Sequence, residues 1–600
     1  MQSEDSLDPT TVRRRAALVI LLSLLLHAPS LGWGYFADDH VHKLVLDGEL
    51  REEGYVPWAL YEFGVLADRP ELRDVEGTFP FWTGDDWKAQ FFRPLSSVVR
   101  WGEHVVSGGS AVVVHAFGLA WWGLFLLLAW RLYAALGLAP RAALWALTIL
   151  AVENGNGMTV GWSANRNSIV EGVLVLGAVL AFVEGTRTGS RARLAIAFAC
   201  AVLALGAKES GVAGAALLAG WAWSGRRATG TLAFERGRVR WAALAAVLAF
   251  GFVVAYVAAG YGTRSLFYPT PWGEPLAWLE RLAVTLPGGV VAMTTPLATD
   301  AVHVVEGITV PTVTLGILLA LWLAKRLGPS ATAHPAGPFL VAWILVTLLP
   351  QAGAPLSDRL FLLPLVGAAA LLGIFLEATR LRMRAGWAGR AERVTRTGLI
   401  VSCVVLSAVG LFAFEWTMLR TAAFSRAAIT TAEVGPVAAV RRDVFVLQSP
   451  SQLVSLQPTA VHASLTGDEE LRYRVLNATR RGVRWTRTGQ RSFRLESLDD
   501  PFLTTIFERV YLTRELELEP GHLWSVGDLT VRVVTTEDGL PRTLEFVLDR
   551  SLDDERIRFL AWDASVEDPV AHGKWVHVPV PEIGATVTIE TARAPLPLLP

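Results

Sequence analysis

The sequence predicts a polytopic α-helical membrane bundle of about eleven spanning helices, followed by a mostly β soluble domain. Two observations lead to this fold class. Hydrophobic residues make up 52% of the chain and charged residues only 18%, which is unusual for a soluble protein. From about residue 419, long apolar runs give way to short segments that alternate apolar and polar residues, the period of half-buried strands.

Apolar segments of spanning length recur before residue 419, and their flanking charges set the orientation. Arginine and lysine collect in cytoplasmic loops, which places the N-terminus inside and the C-terminus outside. The segment 281–299 contains two prolines and a Gly-Gly pair, and we expect it to be re-entrant so that this alternation is kept. The expected spanning segments are 15–35, 111–133, 138–153, 167–184, 192–207, 208–224, 240–260, 309–326, 338–354, 359–379 and 397–418, and the basic loops lie near 131–141, 186–193, 224–240, 324–326 and 380–396.

This organisation predicts a multi-pass protein of an inner (plasma) membrane. Residues 1–14 form a cytoplasmic N-terminus, and 15–418 form a transmembrane catalytic domain with an outer loop at 35–110. Residues 430–600 form a non-cytoplasmic, periplasmic β-sandwich-like domain. A cleaved secretory signal in the first 36 residues is the alternative, but the apolar helices that follow favour an uncleaved first helix.

Charge and cysteine content exclude several classes of protein. The formal net charge is −1, so no overall positive field points to a nucleic-acid partner. The two cysteines, Cys200 and Cys403, both lie in apolar runs, which excludes a disulfide framework and a multi-cysteine metal site.

The stretch GYFADDHVHKLV, residues 34–45, places two adjacent acids just after the first apolar segment. A carboxylate near a low-dielectric boundary has a raised pKa unless a cation compensates, and it can then act as a general base. Adjacent residues of a helix or strand do not face the same way. We therefore expect Asp38 to do chemistry and Asp39 to hold a partner or the substrate.

His40 and His42 follow the acid pair at once, and we expect both to take part in substrate binding. Imidazole and carboxylate together suit a divalent cation, so a metal ion is an alternative role for this stretch. No second His/Asp cluster stands at metal-ligand spacing elsewhere, and the prediction is a site without a metal.

Further charged residues lie near the ends of predicted spanning helices, on the same non-cytoplasmic side of the membrane as the acid pair. Charged groups at membrane depth are costly unless they face a cavity or a partner, although an ion pair, an exposed turn or a snorkelling arginine would explain each one alone. One polar chamber that holds an anion beside a carboxylate explains them together. Its expected members are Arg93 in FFRPLSS, Arg166 and Glu171 in ANRNSIVEG, Lys208 and Glu209 in GAKESG, and Asp358 and Arg359 in LSDRLFLLP.

The ordered set FADDHVH, FFRPLSS, GWSANRNSIVEGVLVLGAVLAF, LGAKESGV and LLPQAGAPLSDRLFLLPLVG resembles the GT-C superfamily of integral-membrane glycosyltransferases. The similarity runs over about residues 15–380 and is nearest to the protein O-mannosyltransferase-like branch and its tetratricopeptide-containing relatives. The acid pair is Asp-Asp here where that family has Asp-Glu, and its His-Pro loop motif reads Arg-Pro.

The resemblance implies a GT-C-like fold and a sugar donor carried on a polyprenyl or dolichyl phosphate. It implies an acceptor hydroxyl of a protein, glycan or lipid on the non-cytoplasmic side, as in protein glycosylation or cell-envelope synthesis. Asp38 would be the general base and Asp39 would contact the acceptor. Arg166 would hold the donor phosphate, with Glu171 as the acid that accompanies it.

Two other functions remain open from the residues alone. A transporter or flippase of a lipid-linked or anionic substrate would also line a path with acids and arginines, although such proteins usually show internal repeats. A catalytically silent bundle that displays the β domain is the third possibility. Turnover by the full-length chain separates the glycosyltransferase from both alternatives.

Overall fold

The computed structural model describes residues 8–50, 54–68, 79–224, 232–303, 305, 307–436, 440–505, 508–515, 517–566, 568 and 570–592. Residues 1–7 of the predicted cytoplasmic N-terminus and 225–231 of a predicted basic loop lie outside the described residues. So do 51–53 and 69–78 of the predicted outer loop and 593–600 of the predicted β domain.

Helices dominate the chain up to residue 430. In chain order they are α1 (Pro9–Leu26), α2 (Asp38–Asp47), α3 (Pro94–Ser107), α4 (Ala111–Ala135), α5 (Pro140–Val152), α6 (Asn156–Gly161), α7 (Arg166–Thr188), α8 (Arg191–Ala207), α9 (Val212–Ser224), α10 (Leu232–Ala258), α11 (Pro275–Thr294), α12 (Thr309–Ala333), α13 (Gly337–Leu348), α14 (Leu362–Arg384), α15 (Arg390–Ile400), α16 (Ser407–Thr430), α17 (Gln452–Ser455) and α18 (Pro458–Thr466). A π-helical turn, Val401–Leu406, joins α15 to α16.

The chain forms two compact units and passes between them several times. The first unit comprises Met1–Gly32, Phe91–Tyr261 and Thr270–Met418, and the second comprises Trp33–Gln90, Gly262–Pro269 and Leu419–Pro600. This division differs from the predicted one, because most of the outer loop 35–110 groups with the C-terminal domain rather than with the spanning helices.

Eight helical segments in the described part of the chain are long and apolar enough to cross a membrane. This number is lower than the predicted eleven, because four predicted segments correspond to helices of only 13, 17, 13 and 12 residues, α5, α8, α9 and α13. One segment is gained, because α11, which was predicted to be re-entrant, is long enough to span. The chain is nevertheless a multi-pass membrane protein. The eight segments are Pro9–Gly32, Ala111–Ala135, Ser163–Thr188, Val239–Ala258, Pro275–Thr294, Thr309–Ala333, Asp358–Arg384 and Arg390–Thr430.

The segment predicted to be re-entrant, 281–299, does not form a hairpin here. Its first part belongs to α11, which runs without a break to Thr294 and includes Pro287 in its interior. Gly288 and Gly289 also stay helical, and each faces an apolar side chain, Leu356 and Phe361, at distances that would leave little room for a Cβ. The glycine pair therefore serves close helix packing rather than a chain reversal.

The two most buried of the eight spanning segments are those that contain α14 and α7. α5 comes so close to α14 that a Cβ added at Gly373 would lie 2.3 Å from the carbonyl oxygen of Ala142. Small residues at such crossings let helix backbones approach in a membrane bundle.

Strands make up most of the second unit. They are β1 (Glu62–Val65), β2 (Lys88–Gln90), β3 (Gly262–Arg264), β4 (Arg442–Val446), β5 (Leu471–Val475), β6 (Val483–Arg487), β7 (Ser492–Ser497), β8 (Leu523–Val526), β9 (Leu529–Glu537), β10 (Leu540–Leu548), β11 (Ile557–Asp563), β12 (Lys574–His577) and β13 (Thr586–Ile589). They form a small sheet β1-β2-β3, a six-stranded antiparallel sheet β13-β6-β7-β10-β9-β8 and a mixed sheet β12-β11-β4-β5.

The two larger sheets share one apolar core. The Trp485 ring of β6 lies 4.8 Å from the Phe559 ring of β11, and Phe445 of β4 joins the same cluster. The alternating burial of β6 and β7 is the pattern that the sequence predicted for half-buried strands. Apolar spanning helices followed by a mostly β C-terminal domain confirm the predicted fold class.

Candidate active site

The acid pair opens helix α2 in the second unit. Ala37, the residue before it, is held at φ 47° and ψ −123°, a region that residues other than glycine rarely adopt. The carboxylate of Asp39 is fully buried, and its Oδ2 accepts the backbone N–H of Phe36 at 3.2 Å. Asp39 thus fixes the entry into the helix.

Asp38 is half-buried beside the phenol of Tyr511. Burial first, and then the negative charge of Asp38, raise the pKa of Tyr511, so the phenol keeps its proton at neutral pH. The two adjacent acids therefore have different surroundings, as the sequence predicted, and Asp38 is the more accessible one.

The two histidines of this stretch are buried in separate contacts. Nε2 of His40 donates to the Tyr35 carbonyl at 3.1 Å, and its Nδ1 lies 3.0 Å from Oγ of Ser464. Burial lowers the pKa of His40 to about 4, so the ring is neutral. The His42 ring packs against Tyr61, with centroids 5.1 Å apart. Within the described part of the chain, no three His, Cys, Asp or Glu side chains are placed to hold a metal ion.

In the first unit, Arg93 and Glu209 form a two-pronged ion pair. Arg93 stands just before the proline that begins α3, and Glu209 follows α8. Nε of Arg93 donates to Oε2 of Glu209 at 2.8 Å, and Nη2 donates to Oε1. Burial alone would raise the pKa of Glu209, but the charge and hydrogen bonds of Arg93 hold it below its ordinary value.

Lys208 lies beside this pair and donates from Nζ to Oγ of Ser168 at 3.0 Å. Burial lowers the pKa of Lys208, while the charges of Glu171 and Glu209 oppose that shift. Glu171 itself is 3% exposed, one helical turn along α7 from Ser168. The structure thus brings Arg93, Lys208, Glu209 and Glu171 together.

Arg166 belongs to a different cluster. It is fully buried, its Nε lies 3.1 Å from Oε1 of Glu103, and its Nη2 donates to the Val114 carbonyl at 2.9 Å. Glu103 also accepts from Nη1 of Arg100 at 2.9 Å. This geometry is that of a structural ion pair, and a phosphate-binding role for Arg166 stays a prediction.

Arg359 presents its guanidinium at 5.0 Å from the centre of the Trp162 ring. No described residue accepts a hydrogen bond from this guanidinium, and its charge acts on Lys208. Asp358 instead accepts the Thr299 N–H at 3.0 Å. Lys208 and Arg359 are therefore the predicted cations with donors to spare for an anion.

Sequence reasoning missed several buried acids of the first unit, and two of them contact or influence predicted site residues. Glu103 is the partner of Arg166, and its signal was an Arg-x-x-Glu pair inside the otherwise apolar α3. Glu153 lies at the end of α5, and burial followed by the charge of Asp358 raises its pKa to about 8. Its only signal was a single acid in the turn ENGNG.

An apolar groove adjoins the Arg93–Lys208 cluster in the first unit. Its volume is about 450 Å³, and its wall is formed by α3, α8 and α10. Arg93 stands between two of its lining residues, and Lys208 follows a third by two positions. The lining residues are Phe92, Pro94, Leu95, Val98, Val202, Leu203, Leu205, Gly206 and Phe252.

The acid pair and the cationic cluster belong to different units. A single chamber that contains Asp38 together with Lys208 and Arg359 therefore stays a prediction.

No protein-family model and no curated protein matches the chain. Among solved structures, the apo oligosaccharyltransferase of Archaeoglobus fulgidus is 11% identical with a TM-score of 0.43, and the match covers 77% of this chain and 64% of that one. The same enzyme tethered to an acceptor peptide with the NVT sequon is 12% identical with a TM-score of 0.42, at the same coverage. ArnT from Cupriavidus metallidurans bound to undecaprenyl phosphate is 13% identical with a TM-score of 0.39, and the match covers 76% of this chain and 89% of that one.

The chain thus spans 64% of the length of the archaeal oligosaccharyltransferase. At these identities and scores the similarity is one of fold, and no residue role or reaction is taken from it. Both matched proteins are membrane glycosyltransferases of the GT-C superfamily. The predicted resemblance to the tetratricopeptide-containing branch stays a prediction.

Proposed function

We propose that the protein is a membrane glycosyltransferase that moves a sugar from a polyprenyl-phosphate donor to an acceptor hydroxyl. The observation that carries this proposal is the apolar groove beside a cationic cluster. A prenyl phosphate has the matching chemistry, since it joins a long apolar chain to an anionic head.

The donor's chain would lie in the groove between α3, α8 and α10, whose lining is almost entirely apolar. Its phosphate would then lie close to Lys208 and Arg359, whose donors are the least engaged of the predicted cations. Arg93 is held by Glu209 and would act mainly by orienting this end of α3. Fixed cations stabilise the negative charge that develops on a departing phosphate, which is the largest contribution a site of this kind can make.

Asp38 would accept the proton of the acceptor hydroxyl as general base. The acceptor oxygen would attack the anomeric carbon as the bond from that carbon to the phosphate oxygen breaks, and the polyprenyl phosphate would leave with the electron pair. Asp39 would keep Asp38 in place through the Phe36 contact rather than touch the acceptor. This reaction requires the two units to bring Asp38 to the donor.

The same proposal assigns the orientation that the basic loops favour. The N-terminus would be cytoplasmic, and the acid pair and the β domain would lie on the periplasmic side, where a protein, glycan or lipid acceptor is available. No nucleotide or nucleic acid is required, because the donor is a membrane lipid.

The test uses purified full-length protein and a panel of polyprenyl-phosphate monosaccharides, with released polyprenyl phosphate as the readout. Asp38→Asn should lower transfer by about 10²–10⁴-fold, the contribution of a general base. Asp47→Asn is the matched control, because Asp47 ends the same helix in an exposed pair with Lys43. If Asp38→Asn turned over at the wild-type rate, that result would contradict the proposal. Lipid flux in vesicles without any sugar-transfer product would favour a transporter.

A further inference from the structure

The second unit encloses a cavity of about 60 Å³ that the proposed reaction does not use. Its wall is formed by the outer-loop segment 79–82, the turn between α17 and α18, strand β5 and Tyr511. At roughly 10–15 Å³ for each water molecule, the space holds about four to six waters. It therefore accepts one edge of a small ring and is too small for a peptide segment.

Aromatic side chains form much of the wall. Phe79, Phe81, Trp82, Tyr473 and Tyr511 all line the cavity, and the Trp82 indole is fixed by its Nε1–H, which donates to the Glu508 carbonyl at 3.0 Å. Binding sites for small organic ligands combine such walls with a few placed polar groups. A sugar ring suits aromatic walls because its C–H groups form an apolar face.

The polar part of the wall carries excess positive charge. Arg472 and Arg474 line the cavity, and both pair with the fully buried Asp443. Arg550 pairs with Asp443 and with Asp528, and Arg474 also reaches Asp528. Glu508 also lines the cavity and pairs with Arg481. Four guanidinium groups thus share three carboxylates, which leaves one positive charge in excess. A single carboxylate in the cavity would balance the cluster.

Two polar atoms at the cavity lack a hydrogen-bond partner among the described residues. They are Nε of Arg472, a residue that is 6% exposed, and Oε1 of Gln452. One is a donor and the other an acceptor, so a complementary ligand offers an anionic oxygen and a hydroxyl. Gln457, also in the wall, has a positive φ of 53°, a strained conformation of the kind that clusters at ligand sites.

We propose that this cavity binds an acidic sugar, a hexuronate, by its carboxylate edge. The carboxylate would accept from Arg472, a ring hydroxyl would donate to Gln452, and the C–H face would lie against the aromatic walls. A neutral sugar lacks the charge, and a simple carboxylate lacks the hydroxyl and the apolar face.

The cavity lies in the same unit as Asp38 and is linked to it by two elements. Tyr511 lines the cavity, and the negative charge of Asp38 contributes to raising the pKa of its phenol. Helix α18 begins at the cavity wall with Pro458 and contacts α2 through Ser464 and His40. We infer that the hexuronate belongs to the acceptor. This role rests on the proposed function, whereas binding itself does not.

Binding is measured by calorimetry on the full-length protein in detergent, with methyl glucuronide, methyl glucoside and acetate as probes. Gln452→Leu should weaken methyl glucuronide about 2–10-fold and Arg472→Gln about 10-fold or more, as expected for losing a neutral and a charged hydrogen bond. Arg494→Gln and Gln490→Leu are matched controls, since both residues lie outside the cavity wall. Thermal unfolding reports whether each variant is folded. If Arg472→Gln is not folded, the result for Gln452→Leu alone decides the inference.

Selective binding of the glucuronide, reduced in Gln452→Leu and kept in the controls, supports the inference. Equal affinity for the glucoside overturns the charge requirement, and equal affinity for acetate overturns the sugar. Absence of glucuronide binding to a wild-type protein that still transfers sugar overturns the inference alone. The Asp38→Asn variant could bind the glucuronide and also transfer sugar as well as wild type. That result supports the inference and overturns only the role of Asp38 as general base.

Discussion

Arg166 and Glu103 are joined in a buried ion pair, with Nε of the arginine 3.1 Å from Oε1 of the glutamate. The pair links the start of α7 to α3, and Arg100 and Trp121 donate to the same carboxylate. The pair therefore ties α3 to α7 inside the bundle, and a phosphate-binding role for Arg166 stays a prediction.

Arg166→Met should lower the thermal stability of the protein. Glu103 keeps Arg100 as a partner, so the cost is that of a lost charged hydrogen bond, about 1.5–3 kcal/mol, and not that of an isolated buried charge. The apparent Tm in detergent is the measurement, with the exposed Arg131→Met of α4 as the matched control. An unchanged Tm combined with lost affinity for polyprenyl phosphate would instead assign the donor phosphate to Arg166.

Lys208→Met and Arg359→Met should each slow sugar transfer by about 10²-fold or more, because each would remove a fixed cation from the departing phosphate. Their hydrogen-bond contacts are few, so the fold should persist. Turnover of a polyprenyl-phosphate sugar, with the circular dichroism spectrum as a check of folding, is the measurement. Lys325→Met, which changes an exposed lysine of α12, should behave as wild type. Full activity in both site variants would place the phosphate elsewhere.

Asp39→Ala should destabilise the start of α2, because the Phe36 N–H loses its acceptor while it remains buried. The expected loss is about 1 kcal/mol, the usual value for a removed helix-terminal acceptor. Asp39→Asn keeps an acceptor oxygen and should retain most stability and transfer. The two variants are compared by thermal unfolding and turnover. Equal loss of transfer in both, at unchanged Tm, would mean that the carboxylate of Asp39 touches the acceptor.

The fold class was readable from the sequence because it depends on local patterns. The apolar length of α4 and α7 and the alternation in β6 and β7 are properties of consecutive residues. The grouping of the outer loop with the C-terminal domain was not readable, because it depends on contacts such as the hydrogen bond from Nε1 of Trp82 to the Glu508 carbonyl, 426 residues further along the chain. A contact at such separation leaves no mark in the local sequence of either segment.

The site was partly readable for the same reason. Arg93, Lys208 and Glu209 were predicted to share a chamber from their common side of the membrane, and they do meet. The side of the membrane on which a residue lies does not, however, specify which residue it pairs with. Arg166 was paired with Glu171 in sequence reasoning, five residues along one helix, while the structure pairs it with Glu103 from α3. The direction of a buried side chain is set by helix packing, which spacing along the chain does not encode.

His40 makes stability depend on pH in a defined direction. Burial lowers its pKa from the ordinary 6.5 to about 4 in the folded protein, while the unfolded chain binds the proton near 6.5. Between these values the unfolded state holds more protons, so stability is full above pH 6.5 and falls as pH drops towards 4. The shift corresponds to about 3 kcal/mol at most. His40→Asn should remove this part of the loss, whereas His572→Asn, an exposed control in the same unit, should not. Apparent Tm measured between pH 7 and pH 4.5 checks this, and parallel curves for wild type and His40→Asn would show that His40 is not the group responsible.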